Sequence, residues 1–284
     1  MNARAEFHDP ATRAHLLADK ARWVREQTLA IHRRAPETRV ASSLSAVELL
    51  TVLYYSGIAR ITPDEPLHAE RDRIIISKGH GSICMYPILA DCGYFPMAAL
   101  ETVCKPGSFL GGIPDPIIPG YETINGSLGH GLGVGSGTAL ALRTKGKAQR
   151  TFVLLGDGEL NEGAVWEALM FAAHHQLKNL IAMVDCNGRQ MLGYTDSVVN
   201  LNPLDAKFAA FGWQTHTVED GHDVAQLLAG FEALLASDSP KPKVLIANTL
   251  KGKGVASLEN APLAHVMGVG RAEIDAILGD GAAP

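Results

Sequence analysis

Thr151-Phe152-Val153-Leu154-Leu155-Gly156-Asp157-Gly158 and, further along, Leu180-Ile181-Ala182-Met183-Val184-Asp185-Cys186-Asn187 frame the stretch that decides the fold. Each begins as an unbroken apolar run, the pattern of a strand covered on both faces in a parallel sheet. Between them Asn161 to His175 carries apolar residues at helical spacing, so the order is strand, helix, strand. A βαβ unit sets its two strands parallel and brings their trailing loops to the same edge of the sheet. Asp157 and Asn187 are therefore expected to be neighbours in space although the chain separates them.

The same alternation extends on both sides. Candidate strands are Arg73 to Ser77, Thr151 to Leu155, Leu180 to Asp185, Gln214 to Val218 and Val244 to Asn248, with helices at about Gly81 to Cys92, Leu128 to Arg143, Asn161 to His175 and Asp223 to Ser237. This predicts an α/β chain, doubly wound around a mainly parallel sheet with helices on both faces, and ligands in that architecture gather at the carboxyl ends of the strands. The Gly- and Pro-rich run from Gly107 to Gly120 reads as a loop crossing that end. Upstream, Pro10 to Arg34 has helical periodicity, and a second helix is expected from Ser45 to Tyr55, with Ser45 as N-cap and Glu48 at the capping-box position. Residues 1–60 are expected to form a helical extension packed on a domain of residues 61–284, the whole being one structural unit. The tail Gly281-Ala282-Ala283-Pro284 is expected to fray.

Composition narrows the classes of function. The formal net charge of -5 leaves no broad basic surface for nucleic acid. No stretch approaches the roughly 18 apolar residues of a spanning helix, and residues 1–7 carry no apolar leader core, so neither a membrane nor secretion is expected and the cytoplasm is the simplest location. The four cysteines, Cys84, Cys92, Cys104 and Cys186, form no CxxC pair and read as reduced, mostly buried thiols.

Chemistry enters at the two strand ends. An aspartate carboxylate, an asparagine carbonyl and a free backbone carbonyl are hard oxygen donors that suit Mg²⁺ or Ca²⁺ and leave positions for phosphate oxygens. Gly156 and Gly158 permit a tight turn without a Cβ in the way, and a following helix offers N–H groups and a positive dipole end to phosphate. Taken alone, Gly-Asp-Gly is no more than a strand-to-helix turn; Asn187 at the matching site is what raises a clamp for a metal and a diphosphate. The glycine cluster Gly129 to Gly137 is not a dinucleotide fingerprint, because no start in it places glycines first, third and sixth.

Gly-Asp-Gly-Glu-Leu-Asn-Glu-Gly-Ala-Val-Trp-Glu-Ala (156–168), Asn179-Leu180 and Asp185-Cys186-Asn187 resemble the thiamine diphosphate motif of transketolases. Ser77-Lys78-Gly79-His80-Gly81, Pro119 to Glu122, Gly126 to Gly131, Asp220 to Asp223 and Thr249 to Asn260 are similar to further transketolase segments in the family order. The resemblance implies that thiamine diphosphate is held through Mg²⁺, for which Ca²⁺ or Mn²⁺ can substitute. It implies Asp157, Asn187 and the main-chain carbonyl of Arg189 as metal ligands, Gly158 on the diphosphate through its amide, and Gly126 and Leu128 near the aminopyrimidine and thiazolium. It places His80 on the diphosphate and reacting atoms, His265 by the substrate channel, and Glu162 at a subunit contact near the cofactor. From the residues alone, Leu128 reads as ordinary core, Glu162 equally as a helix N-terminal charge, and Lys251 and Lys253 as solvated loop lysines.

The resemblance further implies two-carbon glycolyl transfer from a ketose donor to an aldehyde or acyl acceptor, with a small-molecule or carrier-bound substrate. It implies a partner subunit that supplies the pyrimidine domain and the activating glutamate, in an α2β2 heterotetramer. Three family positions are altered: Arg39 and Ile113 stand where active-site histidines are usual, and Ala264 where a tryptophan precedes the histidine. Losing a buried hydroxyl partner costs on the order of 1 to 3 kcal/mol, so altered substrate specificity is expected. The competing readings are the α chain of a 2-oxo acid dehydrogenase and a catalytically silent assembly subunit.

Overall fold

The computed structural model describes residues 9–124, 126–259 and 261–279. The leader reading of residues 1–7 and the fraying tail 281–284 lie outside the described residues, as does Asn260 of the Thr249 segment. In chain order the helices are α1 Pro10–Arg34, α2 Val40–Leu44, α3 Val47–Tyr55, α4 Met85–Cys92, α5 His130–Thr144, α6 Gly163–His174, α7 Thr195–Val199, α8 Leu204–Ala210, α9 Val224–Leu235, α10 Ala256–Glu259 and α11 Arg271–Leu278. The strands are β1 Arg73–Ile76, β2 Thr151–Gly156, β3 Leu180–Cys186, β4 Arg189–Gln190, β5 Gly193–Tyr194, β6 Gln214–Val218 and β7 Lys243–Asn248.

Five strands form one parallel sheet in the order β1-β2-β3-β7-β6, and β4 pairs antiparallel with β5 in a separate two-stranded hairpin. Because successive side chains of a strand point to opposite faces, the apolar runs feed two cores at once. Ile74, Ile76, Phe152, Leu154, Ile181 and Met183 join a cluster with α1, α3, α4 and α9 on one face. Their chain neighbours Ile75, Val153, Leu155, Ala182 and Val184 join α5, α6 and α8 on the other. The sheet is thus wound on both faces, and the helices before β1 are part of its core: Leu17, Val24, Leu49 and Leu53 belong to the first cluster. No helix among the described residues is long and apolar enough to cross a membrane, and all four cysteines are free thiols.

Two local expectations need correction. Ser45 does not cap α3; the helix starts at Val47 with Ala46 in the cap position and no side-chain cap bond. Ser45 Oγ donates instead to Asp185 Oδ2 at 2.6 Å, and Glu48 is drawn into a buried pair with Arg25 and His222. A tertiary charge outbids a local N–H for each side chain. Likewise the helix expected from Gly81 begins only at Met85, after a 3-10 turn over Gly79–Gly81. That turn wraps the buried side chain of Lys78: a Cβ on Gly81 would lie 2.7 Å from Lys78 Cε and 2.8 Å from Ser42 O. The Gly107 to Gly120 run is a loop as expected, tied to the segment after β1 where Tyr86 Oη donates to Gly111 O at 2.6 Å.

Candidate functional site

The site is built where β2, β3 and β7 end, around Asp185. Its side chain is wholly buried, and all its surroundings donate to it: Lys78 Nζ, Ser45 Oγ at 2.6 Å and Asn187 Nδ2 at 3.0 Å meet Oδ2, and Thr249 Oγ1 meets Oδ1. Lys78, only 2% exposed, also donates to Ser42 O at 3.1 Å. A buried ion pair persists only when its remaining valences are filled in this way. Burial by itself would raise the Asp185 pKa, but the Lys78 ammonium and the converging hydrogen bonds outweigh it and hold the carboxyl down at about 2. The bond from Asn187 Nδ2 to a carboxylate also fixes which way that amide faces. Its Oδ1 is turned to the other side, where it accepts the Arg189 N–H at 3.1 Å.

Asp157 follows β2 directly and ties the two strand-end loops together. Its Oδ1 accepts from Gly158 N at 2.9 Å and its Oδ2 from Gly188 N at 2.7 Å. Burial first, and the neighbouring Asp185 charge second, raise its pKa to about 6. The segment after it is a 3-10 turn, Gly158–Asn161, rather than the start of α6. Gly158 is required there, since a Cβ would meet Gln190 Cβ at 2.9 Å and Arg189 O at 3.8 Å. Asp157, Asn187 and Arg189 line a common cavity of about 330 Å³. Every donor they offer is a hard oxygen, and no cluster of three or more His, Cys, Asp or Glu side chains exists among the described residues. A divalent cation fits this donor set and would relieve a carboxylate that burial disfavours. The Arg189 side chain takes no part; its guanidinium lies over the Tyr194 ring at 3.7 Å on the β4–β5 hairpin.

Above this clamp His80 and His265 face each other with ring centroids 4.9 Å apart. Burial, reinforced by Lys78, lowers His80 to about 2. Burial, reinforced by Lys251 and Arg39, lowers His265 to about 4. Both imidazoles are therefore neutral near pH 7, and His265 Nδ1 is buried with no hydrogen-bond partner. Lys251 corrects the solvated-lysine reading: it is 3% exposed. Burial and the Lys78 charge lower its pKa to about 8 against the pull of Asp185 and Asp157. Gly126, exposed, and Leu128, half-buried, stand on a rim with Glu162. Glu162 packs on Gly129, where a Cβ would come within 2.7 Å of Glu162 Cβ. The structure thus gathers Asp157, Gly158, Asn187 and Arg189, pairs His80 with His265, and leaves Gly126, Leu128 and Glu162 at the edge.

Sequence reasoning gave Asp185, Lys78, Glu159 and Thr249 no role, and Ser45 only that of a helix cap. Glu159 accepts from Ser77 Oγ, Gly129 N at 2.8 Å and Gly156 N at 3.1 Å, tying the ends of β1 and β2 to the start of α5. The available signal was Asp185 itself: a carboxylate ending an apolar strand needs a buried cation, and Lys78 closes the neighbouring apolar run.

Residues 24–279 match the family described as transketolase, thiamine diphosphate binding domain. The chain is 37% identical over 252 residues to a 6-deoxy-6-sulfo-D-fructose transketolase subunit of a Clostridium species, covering 88% of this chain and 90% of that protein. It is 38% identical over 251 residues to an apulose-4-phosphate transketolase subunit of Actinobacillus succinogenes, again covering 88% and 90%. Among solved structures, transketolase from Leishmania mexicana superposes with a TM-score of 0.83 at 27% identity, over 92% of this chain but only 40% of that one. The chain thus spans nearly all of the relatives named as subunits and about two fifths of that solved transketolase.

Proposed function

The chain belongs to the transketolase family, as its thiamine diphosphate binding domain, and we propose that it works as the diphosphate-holding subunit of a two-component, Mg²⁺-dependent enzyme that transfers a two-carbon glycolyl unit. The donor is a ketose-type compound and the acceptor an aldehyde or acyl group, small or carrier-bound. A partner subunit contributes the pyrimidine domain and the activating glutamate, in an α2β2 assembly; the relatives named as subunits support a partner of this kind.

The observation that carries the proposal is the convergence of the Asp157 carboxylate, the Asn187 amide oxygen and the Arg189 main chain on one cavity. In this reading those three oxygens hold Mg²⁺. Gly158 N–H, which donates to Asp157 Oδ1 here, would be the amide available to a diphosphate oxygen. Asp185 aims Asn187, and Lys78 keeps Asp185 ionised. Lys251, a buried cation beside two carboxylates, balances the anionic tail. Bound thiamine diphosphate supplies the electron sink for breaking and making a carbon–carbon bond. His80 and His265, kept neutral by burial and nearby cations, can each offer a hydrogen bond to a substrate hydroxyl or carbonyl and so orient and polarise it. Arg39 and Ile113 in place of histidines favour a substrate other than the ordinary sugar phosphates.

Titration calorimetry of the full chain with thiamine diphosphate tests this. Binding that appears with Mg²⁺ and is lost with a chelator is expected; equal or absent binding in both conditions would overturn the proposal and leave an assembly role.

A further inference from the structure

Arg39 sits on a platform fixed from inside the protein. His32 and Thr38 are 1% and 4% exposed. His32 Nε2 accepts the Val269 N–H at 3.2 Å, so its proton is on Nδ1, which donates to Thr38 Oγ1 at 2.8 Å. Thr38 Oγ1 in turn donates to Ala35 O at 2.8 Å. This chain of bonds pins residue 38 against residue 269 and so sets Arg39 beside the His265 segment, where its Nη1 donates to His265 O at 3.4 Å.

Among the described residues the rest of the guanidinium has no partner. Arg39 is exposed, and among the described residues no carboxylate lies within ion-pair distance of it, whereas Arg25 and Arg71 are matched by Glu48 and Glu122. Its Nε–Nη2 edge has no partner in the protein among the described residues, and next to it His265 Nδ1 is buried and unpaired. Behind both stands Lys251. Arg39, His265 and Lys251 therefore group a guanidinium edge with no partner among the described residues, an unpaired ring nitrogen and a further cation. A guanidinium edge is shaped for two parallel bonds to a planar carboxylate, which a neutral imidazole cannot provide.

We propose that Arg39 reads a carboxylate on the substrate, next to the carbons that His80 and His265 serve, and so selects carboxylate-bearing donors or acceptors over neutral polyols. The inference rests on the reading of that histidine pair as the reaction site.

D-glycerate and glycerol share a three-carbon frame, are unreactive and differ in the carboxylate, so their binding to the full chain with thiamine diphosphate and Mg²⁺ isolates the effect. Saturation-transfer NMR should show glycerate binding about tenfold more tightly than glycerol, the scale of one charge-assisted pair. Arg39→Met should bring the two within about twofold, and Arg39→Lys should restore part of the gap. Thiamine diphosphate affinity and thermal midpoint should be the same in all three proteins, which separates substrate reading from a structural role. Equal binding of the two probes to the wild type, or a preference that survives Arg39→Met, overturns the proposal. Failure of thiamine diphosphate to bind the wild type would instead overturn the functional reading beneath it, and the glycerate-to-glycerol ratio would still decide the role of Arg39.

Discussion

The clamp and the mouth of this site lie a few residues apart and are built by opposite means. In the clamp the central carboxylate is fully engaged: Asp185 alone takes four hydrogen bonds, from Ser45, Lys78, Asn187 and Thr249. At the mouth Arg39 is exposed with one long bond, and His265 keeps an idle nitrogen. Saturated networks tolerate little change, whereas unsaturated surfaces leave room for a ligand to decide what fits. Under the proposed function, the difference fits a clamp that keeps the family's residues beside a mouth that carries Arg39 in place of a histidine.

The sharpest way to break this comparison is to uncouple the clamp's central charge. Lys78→Met removes the cation that offsets the burial of Asp185, leaving this carboxyl without its counter-charge in a dry interior, and urea unfolding should show a loss of roughly 3 to 5 kcal/mol. Adding Asp185→Leu should recover much of it; a cost below about 1 kcal/mol for the single change would show that the network is not what holds the strand ends. Next, Asp157→Ala should weaken Mg²⁺-dependent thiamine diphosphate binding by about 100-fold in calorimetry, through loss of a metal ligand. The same change should cost the ligand-free protein little at pH 7, because relief of a carboxylate that burial disfavours offsets the lost bonds from Gly158 N and Gly188 N.

The third effect is of pH. Asp157 titrates at about 6, above its ordinary 3.8, so below that point a proton competes with the metal. Metal-dependent binding should fall by about tenfold for each pH unit below 6 and level off above it. A flat profile from pH 5 to 7 would place the ligating carboxylate elsewhere. The smallest effect belongs to the mouth: Arg39→Met should change stability by no more than about 0.5 kcal/mol in thermal melts, because the side chain is exposed.

How much of this was legible in the sequence follows the same division. The sheet was, because Phe152 to Leu155 and Leu180 to Val184 are apolar without interruption, and the rule for βαβ units then brings Asp157 beside the Asn187 loop. Ser45 and Glu48 were misread because a capping pattern is local while their partners, Asp185, Arg25 and His222, are remote. Lys251 was misread for a related reason. Residues after a strand face water by default, but this loop is folded inward by positive φ at Gly252 (76°) and Gly254 (88°) and held there by His222 Nε2, which accepts the Leu250 N–H at 2.8 Å.

That inward loop also answers to α1. Arg25 donates to Lys253 O at 2.7 Å and Leu44 O at 2.9 Å while its other end is locked to Glu48. A single guanidinium on an outer helix thus bolts the strap carrying Lys251 to the frame that carries Ser45. Trimming the chain past residue 25, or fusing a cargo that pries α1 away, would slacken the anion-facing strap from behind, dulling the pocket without touching any atom that lines it.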